Sequence, residues 1–251
     1  MGMEHRIDAH AGTILPGTGT DWVPETRFGR WFLSTGIWRD YVLTPAIDTL
    51  AALAGGRVRA GAHILDIGCG AGTATPLLDA RFRPRRITGI DIDPELVAKG
   101  RARWSIERPD AALTLTEGSA TAIPLADGTV DVVLCHQLLH HMIPQREALA
   151  EMRRILRPGG LLLLAESCRC FIDSPPVRLL FRHPRETQRS AAGYLDLIRG
   201  AGFRLGDGDV VAESPWWSLP DLGLRRRRAP GRGAPAGREP TELLAVAERP
   251  A

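Results

Sequence analysis

One stretch constrains the fold more than any other. The apolar run His63-Ile-Leu-Asp-Ile67 passes without interruption into Gly68-Cys-Gly-Ala-Gly72 and then into a helical pattern from Thr73 to Ala80. An apolar run this short, closed by glycines, reads as a buried strand. Glycines at alternate positions leave the turn free of side-chain bulk, so that a ligand can lie against backbone N–H groups.

The rest of the chain repeats the alternation. Arg86 to Asp91 reads as a second strand, Pro94 to Trp104 as a helix with proline in its first turn, Ala112 to Thr116 as a third strand and Val130 to Cys135 as a fourth. Glu147 to Leu156 is a helix carrying Leu149, Met152, Ile155 and Leu156 on one face, stopped by Pro158-Gly159-Gly160, and Leu161 to Glu166 is a fifth strand. A helix from Ala191 to Arg199 follows, then two further strands, Phe203 to Val211 and Glu242 to Ala247. Strands and helices in this order predict an α/β fold, a parallel sheet with helices on both faces.

Ahead of the sheet, Trp22, Phe28, Trp31, Phe32, Trp38 and Tyr41 crowd aromatic residues into a short stretch. The spacing of Phe28, Trp31 and Phe32, then of Tyr41, Ile47, Leu50 and Leu53, suits two amphipathic helices broken near Gly36 and Thr44-Pro45. The expected organisation is a flexible N-terminus over residues 1–20, a helical lid over 21–57, and a main domain over 58–251. Within that domain, 214–240 is a Gly/Pro-rich insertion between the last two strands, holding Trp216-Trp217 and Arg225 to Arg228.

Composition narrows the function classes. With 251 residues, 44% hydrophobic and 24% charged, the chain is neither wholly disordered nor collagen-like nor a membrane bundle. Its longest apolar stretch, Leu161 to Ala165, is far short of a bilayer span, and Met1 to Thr20 has no signal-peptide core, so a cytoplasmic location is expected. Among 32 basic residues Lys99 is the sole lysine; with 27 Gly and 19 Pro this resembles a GC-rich coding bias. A net charge of +3 does not demand nucleic acid or a membrane. Arg153, Arg154 and Arg157 are expected on the exposed side of their helix, and only Arg27 and Arg30 are placed to meet an anionic substrate. Cys69, Cys135, Cys168 and Cys170 form no C-x-x-C pair and read as free thiols. Neither Cys168-Arg169-Cys170 nor the pair His136 and His140 has a further ligand in sequence, so no metal is expected.

The glycine loop selects its ligand by charge. A dinucleotide fingerprint places its third glycine one residue later and faces a pyrophosphate. Here Asp66 stands at the strand end, where it would repel a pyrophosphate and suits a ligand carrying an ammonium group. S-adenosylmethionine carries that ammonium and a sulfonium besides. Asp91 at the tip of the second strand can accept both hydroxyls of a ribose, because Asp93 already precedes Pro94 as a helix cap.

Ile64-Leu-Asp-Ile-Gly-Cys-Gly-Ala-Gly72, Thr88-Gly-Ile-Asp-Ile-Asp-Pro94, the run Glu117 to Val133, and Leu149-Ala-Glu-Met-Arg-Arg-Ile-Leu-Arg-Pro-Gly-Gly160 together resemble the class I S-adenosylmethionine-dependent methyltransferases. The likeness spans about residues 60–170 and is nearest to the branch of quinone-biosynthesis C-methyltransferases and small-molecule methyltransferases. It implies a Rossmann-like seven-stranded, mostly parallel sheet with an antiparallel last strand. It also implies that Asp66, Gly68, Cys69, Gly70 and Gly72 hold the methionine end, Asp91 the ribose, Ile92 the adenine face, and His136 the methionine pocket. Where family members usually carry Gly-Asp-Ala after the third strand, this chain has Gly118-Ser119-Ala120, which shifts the adenine contact to a short, uncharged hydroxyl and to the Ala120 backbone.

A sulfonium is already activated, so the protein need mainly align a nucleophile and exclude water. His140 and His141, past the fourth strand, are the candidate catalytic bases. Trp31, Tyr41 and Trp217 are the candidate walls of the acceptor pocket. The expected activity is methyl transfer to a small molecule through its O, N or C atom, with no membrane partner, no expected nucleic acid and no oligomeric state implied. Two alternatives stand beside it: methylation of RNA or protein, drawing on Arg81, Arg83, Arg85, Arg86 and Arg225 to Arg228, and a non-catalytic S-adenosylmethionine-binding protein, drawing on Ser119. An NAD-dependent oxidoreductase fails on the glycine spacing.

Overall fold

The computed structural model describes residues 22–107, 112–218 and 238–251. It is built on a seven-stranded sheet of order β3-β2-β1-β4-β5-β7-β6. The strands are β1 His63–Ile67, β2 Arg86–Asp91, β3 Leu113–Glu117, β4 Val130–His136, β5 Leu156–Ser167, β6 Val210–Glu213 and β7 Glu242–Glu248. β1 to β5 pair in parallel, while β7 runs antiparallel to both β5 and β6. Every residue of β1 and β4 is buried, as expected of central strands covered on both faces.

Alternate residues of each strand feed two cores. On one face Ile64, Val132, Leu134, Leu163 and Val246 meet Ala46, Ile47 and Leu50 of α3 (Thr44–Ala54) and Leu78 of α4 (Thr75–Phe82). On the other, Leu65, Val133, Leu162 and Ala245 meet Leu149 and Met152 of α6 (Gln145–Ile155) and Tyr194 and Ile198 of α9 (Ala191–Gly200). The pairings Ile67 with Cys135, His136 with Ala165, and Ser167 with Glu242 put the ends of β1, β4 and β5 and the start of β7 on one sheet edge. Open α/β sheets place their chemistry at such an edge.

Several expected boundaries move. β5 starts at Leu156, not Leu161, because Leu156 pairs with Val130 and the Pro158-Gly159-Gly160 segment is absorbed in a bulge before Leu161 pairs with Val132. Phe203 to Val211 is not one strand: Arg204 makes a lone bridge to Glu248, Asp209 Oδ2 accepts the Gly206 N–H at 2.7 Å in a turn, and only Val210–Glu213 pairs as β6. The aromatic segment forms α1 (Arg27–Leu33) and α2 (Gly36–Trp38), and then a π-turn, Arg39–Leu43, leads directly into α3. Thr44-Pro45 is therefore no break. The widened turn gives the Thr44 N–H the Arg39 carbonyl, so the missing N–H of Pro45 falls in the first turn of α3, where it costs little.

Arg153, Arg154 and Arg157 are half-buried rather than exposed. Arg154 binds Glu151, Asp127 and the carbonyls of Ile123 and Leu125, Arg157 pairs with buried Asp131, and Arg153 reaches the Gly202 carbonyl. Arg27 and Arg30 are exposed. The expected flexible N-terminus, residues 1–20, and Arg225 to Arg228 lie outside the described residues.

Helix α5 (Pro94–Glu107) and α7 (Arg169–Ile172) and α8 (Pro175–Leu180) complete the elements used below. α5 lies hard against the glycine loop: Trp104 Nε1 donates to the Ala71 carbonyl at 3.2 Å, and a Cβ on Gly100 would stand 2.5 Å from Leu115 Cδ1 and 3.0 Å from the Ala71 oxygen. Gly100→Ala is therefore expected to lower stability by about 1–3 kcal/mol, although alanine has the better helix propensity. A fall in the urea midpoint at unchanged slope is the measurement, and a rise would show that α5 has room to withdraw.

Candidate cofactor and acceptor sites

The turn after β1 is held open by its glycines. Gly68, Gly70 and Gly72 all have left-handed backbone, with φ of +75°, +53° and +75°. The N–H groups of Gly68 and Cys69 both donate to the Ile90 carbonyl, at 2.8 and 3.1 Å, fixing the loop to β2. A Cβ at Gly68 would stand 2.9 Å from Leu138 Cδ1, and one at Gly72 would stand 2.7 Å from Trp104 Nε1.

Two carboxylates face this loop. Asp91 Oδ2 accepts the Gly70 N–H at 2.7 Å and Oδ1 the Asp93 N–H at 2.9 Å, while Asp93 caps α5 through the N–H groups of Glu95 and Leu96. Burial lifts the Asp91 carboxyl above its ordinary range, against the pull of those two N–H donors. Asp66 is 4% exposed and its Oδ2 has no hydrogen-bond partner. Burial, and then the charge of Asp91, push its pKa up to about 7. A buried carboxylate with an orphaned oxygen beside a second carboxylate is a site made for a cation.

The remaining expected cofactor residues lie along the same edge. Ile92 is 41% exposed at the tip of β2, Cys69 is buried in the loop with its thiol pushed up by burial, and Ala120 is buried beyond β3. Ser119 spends its hydroxyl locally, 2.8 Å from Thr121 Oγ1 and accepting the Thr121 N–H. His136 ends β4, buried, with Trp38 edge-on to its ring at 5.4 Å and its Nε2 unpartnered. Burial, then the charge of His140, brings its pKa down to about 3, so it is a neutral imidazole.

His140 and His141 occupy a single 3-10 turn, Leu139–His141. His140 is buried with Nδ1 2.7 Å from Glu166 Oε2, which commits that ring nitrogen to structure. The His141 ring lies 4.3 Å from that of His140 with its Nδ1 3.8 Å from Glu25 Oε1, and burial holds it well below the usual histidine range. The ring of His183 stacks beside both, at centroid distances of 5.0 and 4.6 Å. Nothing local marks His183, since it lies in a Pro/Arg-rich connector and reaches the cluster only through tertiary structure.

Tyr41 and Trp217 do come together. They line one cavity of about 280 Å³ with Trp216, Leu244, Glu213 and Glu242. Tyr41 packs edge-on to Trp216 at 5.6 Å, and Trp217 edge-on to Phe171 at 5.4 Å. Trp31 is not part of it: it is 57% exposed on α1 and packs on Phe28. Glu242 was invisible to pattern reading because it opens an apolar strand. Burial, then the charges of Glu213 and Glu166, push its pKa up to about 8, and Gln137 Nε2 donates to it at 3.4 Å.

A parallel sheet with one reversed strand, a glycine loop at the end of β1 and paired carboxylates on β1 and β2 are the features of a cofactor-binding α/β fold. The family model of the methyltransferase domain matches residues 65–164. The chain is 27% identical over 229 residues to the O-methyltransferase cnsE of Penicillium expansum, covering 86% of this chain and 80% of the relative. It is 32% identical over 142 residues to a fatty-acid O-methyltransferase of Mycolicibacterium smegmatis, covering 56% of this chain and half of that one. A solved SAM-dependent methyltransferase from Aquifex aeolicus superposes with a TM-score of 0.62 at 17% identity, over 89% of this chain and 98% of the other, a likeness of fold. Residues 65–164 thus carry a methyltransferase domain, the chain is similar to S-adenosylmethionine-dependent methyltransferases, and S-adenosylmethionine is its methyl donor. Among the described residues no helix is long and apolar enough to cross a membrane.

Proposed function

We propose that this methyltransferase methylates a hydroxyl oxygen of an apolar small molecule seated between Tyr41 and Trp217, with Asp66 on the ammonium of the donor and Asp91 on its ribose. The observation that carries the reading is the aromatic cavity on the same sheet edge as the glycine loop. In this assignment Gly68, Cys69, Gly70 and Gly72 supply the backbone cradle, Ile92 covers the adenine face, Ser119 and Ala120 its edge, and His136 the methionine end. The bound donor supplies an activated methyl on a sulfonium. The chain supplies position, a water-poor wall and a proton acceptor.

Glu242 suits the last role better than the two histidines. It lines the cavity, whereas His140 is tied to Glu166 and His141 faces Glu25. A carboxyl with pKa near 8 is matched to taking a proton at mildly alkaline pH. Glu213 and Glu242 together disfavour an anionic acceptor, so a phenol or alcohol is preferred to a fatty acid. Exposed Trp31 belongs to the lid rather than to the cavity wall. Of the arginines that would serve a nucleic-acid acceptor, Arg81 pairs with Asp48 at 2.6 Å, Arg83, Arg85 and Arg86 are exposed, and Arg225 to Arg228 lie outside the described residues, so the relatives that methylate small molecules carry the choice.

Labelled donor offered with a panel of apolar phenols, alcohols, fatty acids and bulk RNA tests the acceptor. Label is expected in the hydroxyl compounds; label confined to carboxylic acids or RNA sinks the proposal. Trp217→Ala is expected to raise the acceptor KM about tenfold or more while leaving donor affinity by calorimetry unchanged.

A further inference from the structure

We propose that His140, His141 and His183, completed by Glu25, form a binding site for a divalent transition-metal ion of the zinc class, which clamps the N-terminal segment onto the end of β4. The site shares no residue with the Asp66–Asp91 cradle or with the Tyr41–Trp217 cavity.

Three separate segments supply the ligands. Glu25 precedes α1, His140 and His141 follow β4, and His183 lies in the connector after α8. One ring nitrogen from each histidine lies within 4.8 Å of the others. His141 Nδ1 is buried without a hydrogen-bond partner. It stands 3.8 Å from Glu25 Oε1, and His183 Nε2 stands 3.8 Å from that same oxygen. His140 gives Nδ1 to Glu166 at 2.7 Å and keeps Nε2 for a ligand, the carboxylate–histidine arrangement that orients metal-bound imidazoles.

Zinc–nitrogen bonds of about 2.0–2.1 Å place tetrahedral ligand atoms about 3.3 Å apart. The histidine nitrogens, within 4.8 Å of one another, and Glu25 Oε1, 3.8 Å from two of them, would have to draw in to reach that value on binding an ion. Three imidazoles and one carboxylate are donors that suit transition ions, whereas magnesium and calcium favour oxygen-rich sites.

The backbone around the cluster is already joined. Val23 N donates to the His141 carbonyl at 3.2 Å, Thr26 Oγ1 to the Leu180 carbonyl at 2.6 Å, Arg182 N to Glu25 Oε1 at 3.4 Å, and Gln188 Nε2 to the His140 carbonyl at 2.8 Å. The ligands therefore converge without the ion, and an ion would lock together elements that otherwise rest on a few hydrogen bonds and the packing of Phe28 and Phe32 on Phe181.

Cobalt(II) titrated into the metal-stripped full chain reads the site directly. The expected result is about one equivalent bound, with visible absorption of tetrahedral intensity. In zinc the midpoint of thermal unfolding should rise, and proteolytic cleavage ahead of α1 should slow about tenfold, both reversed by chelator. His183→Ala and Glu25→Gln, each checked for native circular dichroism, should lose the tetrahedral absorption and weaken cobalt binding at least tenfold. If His183→Ala fails to fold, Glu25→Gln and the wild-type spectrum decide. A wild-type chain with no tetrahedral absorption at saturating cobalt, or an unchanged spectrum and affinity in the folded variants, overturns the proposal.

Discussion

Asp66→Asn is expected to cut affinity for S-adenosylmethionine about a hundredfold, on the order of 3 kcal/mol, and at the same time to stabilise the donor-free protein above pH 7. Both effects come from one orphaned oxygen. Asp66 Oδ2 is buried without a hydrogen-bond partner, and the carboxyl pKa is raised to about 7 by burial and then by Asp91. A group whose folded pKa is raised lends its full stability below its ordinary value near 3.8, and that stability is lost as pH climbs through about 7. Above pH 7 the donor-free protein therefore carries an unpaired buried charge that asparagine lacks. Thermal midpoints should differ in favour of the variant at pH 8 and converge at pH 4. With Asp66 on the donor's ammonium, as proposed, binding would use the ionised form, so wild-type affinity should fall as pH drops below about 7, with proton uptake by buffer visible in calorimetry, and the variant should show a flat profile. Unchanged affinity in Asp66→Asn would mean that this carboxylate does not face the ammonium.

That cradle was legible in the sequence because local rules place it. A carboxylate inside an apolar run must be buried, alternate glycines must turn, and an acid at the next strand's tip must stand beside that turn. Asp93 was legible as a cap for the same local reason. Residues whose surroundings are set by distant pairing were not. Glu242 becomes part of a cavity wall only because β7 inserts antiparallel between β5 and β6 and brings it opposite Ser167. The start of β5 depends on a bulge against β4, so Pro158-Gly159-Gly160 signalled the end of a helix but not the beginning of pairing. Aromatic crowding pointed to Tyr41 and Trp217, yet the same signal misplaced Trp31, because richness in rings does not say which side of a helix meets a cavity. His183 and Glu25 carry no pattern at all; only the meeting of three segments gives them a role.

Glu166→Ala is expected to cost about 4 kcal/mol of stability, more than any other single change considered. Its side chain is fully buried and acts as the cap of the turn after β4: Oε1 accepts the N–H groups of Leu138 at 3.0 Å and Leu139 at 2.7 Å, and Oε2 accepts that of His140 at 3.4 Å and meets its Nδ1 at 2.7 Å. Alanine would leave those donors without a partner in a place water does not reach, and that penalty exceeds the loss of the bonds themselves. Glutamine keeps one oxygen for Leu138 and Leu139 but turns an NH2 toward the His140 N–H, so an intermediate loss of about 2 kcal/mol is expected. The damage should reach the donor site as well. Leu138 Cδ1 lies where a Cβ on Gly68 would be 2.9 Å away, so a turn released from Glu166 frees the side chain that backs the glycine loop. Urea denaturation of the alanine and glutamine variants, followed by calorimetry with S-adenosylmethionine on whichever folds, separates the two consequences. A loss below about 1 kcal/mol in Glu166→Ala would show that the backbone of the turn, rather than this carboxylate, holds the end of β4.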